Sequence, residues 1–172
     1  MEFDITNLTL DDNSFTTVPE GDYHFKVVDY DLGYSTSPKL PENTPVVTFR
    51  LDVPFLRDGV YDVAKVRTNL NICDKTMFAV RQFAQCVGLV PEKGRVKNVD
   101  LTKCVGLTGV CRLLVGVSAK GNEYNQVDIT YSPSDVPAFC DNDEAWKTYT
   151  SEGKFKLMTD VAEEDAEVNP FV

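Results

Sequence analysis

From residue 21 to 131 the apolar positions recur with a period of two, then briefly near 3.6, then of two again. In YHFKVVDY, residues 23–30, Tyr23, Phe25 and Val27 share one face, and His24, Lys26, Val28 and Tyr30 share the other. Residues 31–45, DLGYSTSPKLPENTP, are rich in Gly, Ser, Pro and Asn and read as a long loop. VVTFRLDV, residues 46–53, sets Val47, Phe49, Leu51 and Val53 inward and Thr48, Arg50 and Asp52 outward. Asp58 and Gly59 signal a hairpin. The third strand, 60–72, sets Ala64, Val66, Thr68, Leu70 and Ile72 against Lys65, Arg67, Asn69 and Asn71, a face without an acid among those four.

The period then changes. Met77, Val80, Ala84 and Val87, with Phe83 beside them, predict a helix over 74–87, with Asp74 as N-cap and Gly88 ending it. A connector over 89–104 carries Lys93, Arg95, Lys97 and Lys103. In residues 105–117, Gly109, Cys111, Leu113, Val115 and Val117 share a face opposite Arg112. In residues 123–131, Asn125, Val127 and Ile129 oppose Tyr124, Gln126 and Asp128. Three strands, a helix and two strands is the element order of an OB-fold-like, five-stranded, mainly β barrel, although other small barrels and α+β sandwiches share it. Glycines at 106, 109 and 116 suit its bends. The expected organisation is a leader (1–17), the barrel domain (18–131), an extension in which Trp146 anchors a helix (132–159), and a disordered acidic tail (160–172).

Charge sharpens that division. Of a net charge of −10, residues 1–17 hold four acids and no base, and residues 160–172 hold five acids and no base. Residues 18–131 carry thirteen acids and fourteen bases, so the barrel is balanced and leaves room for a basic stripe. The tail, DVAEEDAEVNPFV, is too acidic to fold alone, yet ends in Pro170, Phe171 and Val172. That ending reads as a flexible arm whose tip is meant to be held.

Several chemistries find no support. His24 is the only histidine, so no triad containing one can be assembled without it, and no Gly-x-Ser-x-Gly, P-loop or dinucleotide fingerprint occurs. Five irregularly spaced cysteines without a Cys-x-x-Cys predict reduced thiols and no metal or cofactor. No apolar run approaches the ~20 residues of a membrane span, and the acidic N-terminus lacks the basic start of a secretory signal, so no membrane partner is expected.

Three patches carry a resemblance. They are Pro19 to Tyr23; the helix Met77 to Phe83 running into Val87, Gly88 and Leu89; and Gly106 to Val110 followed by Lys120 to Val127. Across roughly 18–131 the chain resembles a family of phage-encoded single-stranded-DNA-binding proteins with an OB-fold. Its tail separately resembles those of bacterial and phage single-strand-binding proteins, except that Val172 rather than a phenylalanine comes last. The resemblance implies a non-enzymatic protein of the host-cell cytoplasm that binds single-stranded DNA in replication, recombination or repair. It allows a homodimer.

Such binding needs cations along the phosphates and flat side chains under the bases. The expected surface is the outward face of strands two and three with the flanking loops. Arg50, Lys65 and Arg67 lie on it by alternation, with Lys39 in the first loop and Lys120 in the last hairpin. Tyr34 and Tyr124 are the stacking candidates, and Lys26, Tyr30 and Arg112 extend the surface. Phe25 and Phe49 read as core. In the tail, Glu163, Glu164, Asp165 and Glu167 with Pro170, Phe171 and Val172 would dock replication or recombination proteins, the acidic arm lying over the basic groove when DNA is absent. The rival reading is a protein-interaction module, a phage protein that binds or inhibits a host or replication factor without touching DNA.

Overall fold

Five strands form where the period of two predicts them: β1 (Gly21–Tyr34), β2 (Pro45–Arg57), β3 (Val60–Asn71), β4 (Thr108–Val117) and β5 (Glu123–Tyr131). A helix, α1 (Met77–Cys86), lies between β3 and β4, and residues 143–151 form a second, α2. These elements come from a computed structural model, which describes residues 17–94 and 98–151. Most of the leader, Arg95, Lys97 and the acidic tail with its seven docking residues lie outside the described residues. The strands make one antiparallel sheet in the order β3-β2-β1-β4-β5. Its edge strands, β3 and β5, approach within 8 Å between Cα atoms.

β1 serves two partners. Gly21–Lys26 pair with β4, and Lys26–Tyr34 pair with β2. Within the second stretch Val28 is an extra residue, a bulge that bends the strand. The bulge corrects two sequence expectations. Tyr30 pairs with Phe49 and packs against the core, so it leaves the face of His24 and Lys26. The strand also runs through residues 31–34, because Leu32 and Gly33 find ladder partners in Val47 and Val46. The loop shrinks to 35–44.

A second bulge changes β5. Leu113 pairs with Val127 but Arg112 pairs with Ile129, leaving Asp128 unpaired. Ile129 therefore turns outward with Arg112, away from buried Asn125. The hairpin at Asp58 and Gly59 forms as expected, both residues having positive φ (51° and 81°), the pattern of a type I′ turn. Asp74 is not the cap of α1. Residues 74–76 make a 3-10 turn, and the Thr76 hydroxyl donates to the Asn71 carbonyl, so the α-helix starts at Met77. Gly88, at φ 79°, follows its C-cap.

The core lies on the inner face. Phe25, Val27, Phe49, Leu51, Val53 and Leu113 are buried, and α1 drops Phe83 onto Phe25 and Phe49 with ring centroids 6.1 and 5.0 Å away. The close approach of α1 requires a glycine in β4: a Cβ at Gly109 would lie 2.7 Å from the Cys86 Sγ. At one end, the Asn125 side chain bonds both the N–H and the carbonyl of Val18, seating that valine in the core.

The chain then returns across the outer face. Where β1 and β2 diverge, buried Asn142 replaces the ladder. Its amide donates to the carbonyls of His24 (3.0 Å) and Pro54 (2.7 Å) and accepts the His24 N–H (2.8 Å). This anchors α2 over β1 and β2. Among the described residues, no helix is long and apolar enough to cross a membrane.

Candidate functional site

The outer face is built from cross-strand rows. Thr48 pairs with Asn69, Arg50 with Arg67, and Asp52 with Lys65. From β1, Asp31, Asp29 and Lys26 extend these three rows in turn. The alternation expected for β2 and β3 thus brings Arg50, Lys65 and Arg67 together, with Lys26 beside them.

Their charges are not equally available. Arg50 donates to Asp29 (2.7 Å) and to Asp31, two carboxylates that the Val28 bulge turned to this side. Lys65 donates to Asp52 at 2.6 Å. Asp52 points outward as its alternation predicts, yet it is buried, because the Tyr149 hydroxyl of α2 closes over it at 2.9 Å. Burial, with that contact, holds the Tyr149 phenol well above its ordinary pKa. Arg112 stands 3.6 Å from Asp22, which also accepts the Tyr131 hydroxyl. Lys26, Lys39, Arg67 and Lys120 make no ion pair among the described residues. An exposed pair contributes only about 0–1 kcal/mol, so a phosphate can displace such a carboxylate.

The aromatic candidates separate. Tyr124 lies across Gly116 on the face of Arg112 and is 45% exposed, so its ring can receive a base. Tyr34 is 71% exposed, but register places it with Tyr30 and Leu32, on the side of the hairpin away from Arg50. Its exposure comes from β1 overhanging the core.

Position in the sequence did not reveal a cluster where the extension meets β1. His24 bonds Asp143 through Nε2 (2.7 Å) and stacks on Trp146, which in turn stacks on Tyr149. Trp146 does anchor α2. The signal was the only histidine and the only tryptophan of the chain, 122 positions apart, which no local pattern joins.

No family model matches the chain, and no curated protein matches it significantly.

Proposed function

We propose that the chain binds single-stranded DNA without sequence preference on the outer face of β1, β2 and β3, serving phage DNA replication, recombination or repair in the host cytoplasm. The observation that carries this reading is the strand order β3-β2-β1-β4-β5 with its edges within 8 Å. Completed edge to edge, that order is an OB-type barrel, in which the second and third strands supply the binding face. The row of Arg50 and Arg67, flanked by Lys65 and Lys26, lies on those strands and their neighbour.

Phosphates follow Lys26 and Arg67, which make no ion pair among the described residues, then take Arg50 from Asp29 and Asp31. Lys39 and Lys120 extend the track into the loops, and a base stacks on Tyr124 for about 1–3 kcal/mol. Each phosphate engaged releases counterions, so affinity falls steeply with salt. Residues 160–172, with five acids and no base, compete for the same cations until DNA displaces them. Phe171 is then offered to a replication or recombination protein.

The Arg50 aspartates favour a second reading, a protein-docking face that does not bind DNA. Titration of fluorescent oligo-dT separates the two. Salt-sensitive binding, lost on reversing Arg50, Lys65 and Arg67 to glutamate and tightened at low salt by deleting 160–172, supports DNA binding. No binding at low salt and micromolar protein sinks it.

A further inference from the structure

We infer that His24, Cys140 and Asp143 form a zinc-type metal site that fastens the C-terminal extension to β1. This inference is independent of DNA binding. A ring nitrogen of His24, the Cys140 Sγ and a carboxylate oxygen of Asp143 all lie within 4.8 Å of one another, and all three residues are half-buried. Two chain segments supply them, so the cluster exists only in the folded protein.

Imidazole nitrogen and thiolate sulfur are the donors of zinc and its neighbours rather than of magnesium or calcium. A tetrahedral ion with bonds of about 2.0–2.3 Å needs donors about 3.3–3.6 Å apart. The Nε2–Oδ1 pair at 2.7 Å must open slightly to reach that spacing, and the thiol lies no more than 4.8 Å from the other two donors. Three protein ligands leave a fourth position for water.

The donors are already oriented from outside the cluster. The Cys140 N–H holds the Asp143 Oδ2 at 3.0 Å, turning Oδ1 toward His24. Trp146 keeps the imidazole flat, with rings 5.2 Å apart and 10° from parallel. Asn142 grips the His24 backbone on both sides. A histidine–carboxylate pair alone would use none of the thiol, which has no hydrogen-bond partner among the described residues. Asp143, Asp22 and Asp141 surround that thiol with negative charge. A divalent cation relieves this crowding. On binding, the Cys140 S–H bond breaks, the sulfur lone pair goes to the metal, and the proton goes to solvent.

The test is cobalt(II) titration of the full, reduced, metal-stripped chain. One equivalent should produce a sulfur-to-cobalt charge-transfer band in the near ultraviolet and quench Trp146, the only tryptophan. Cys140→Ser should abolish the band with an unchanged far-ultraviolet circular dichroism spectrum. His24→Gln should weaken binding at least about tenfold, the scale on which even groups outside the ligand set act. Cys73→Ser, at the other half-buried thiol, should change nothing. Absence of both signals overturns the site. So does a band that survives Cys140→Ser, or an affinity that His24→Gln leaves unchanged.

Discussion

Arg50 shows how far a residue's neighbours decide its role. Alternation puts it on the outer face, and that is where it lies, opposite Arg67. Which charges meet it there depends on Val28, one extra residue in the adjacent strand, because the bulge brings Asp29 and Asp31 onto that face. If the face binds DNA, those two carboxylates are internal competitors. The double substitution Asp29→Asn and Asp31→Asn should therefore tighten oligo-dT binding several-fold at low salt, with a smaller gain at high salt. Anisotropy titration at two salt concentrations measures this, and unchanged affinity would remove Arg50 from the interface. Tyr30 and Tyr34 follow the same displacement in the other direction, onto the core side.

At the scale of elements, β1 depends on segments remote in sequence. Its first half pairs with β4, its second with β2, and where β1 parts from β2 Asn142 bridges the two strands. Asn142→Ala would strand the His24 N–H and two carbonyls, a loss of at least about 2 kcal/mol, since each buried unpaired group costs roughly 1–3 kcal/mol. Urea denaturation should show the lower midpoint, and α2 should loosen with it, seen as a change in Trp146 emission. The positions of all five strands and of α1 were legible from periodicity, because each buries one regular face. The bulges were not. Val28 and Asp128 fit either local pattern, and only pairing with the neighbouring strand selects the residue left out.

For the whole molecule, the buried thiols give the fold a definite response to alkali. Burial pushes Cys86 and Cys104 up to about 11 from 9.0, so the fold favours their protonated forms. The unfolded chain ionises near 9.0, so the contribution is full below that pH and is lost as pH rises toward 11. Melting temperature should fall between about pH 9 and about pH 11, and less steeply in a Cys86→Ala, Cys104→Ala double variant. Unequal charge along the chain was visible from the outset, as was the balance of acids and bases in 18–131. The ion pairs that commit those bases were not, because Asp52 reaches Lys65 and Tyr149 only after β2, β3 and α2 meet. The amino-acid order by itself determined which segments are strands and helices, and which side of most strands is apolar, since both follow from local spacing. Tertiary structure alone decided which outward charges are paired, which aromatics leave the outer face, and that His24 meets Cys140 and Asp143. Those outcomes depend on the bulges and on where the returning chain settles, and both are set by pairing between segments far apart in sequence.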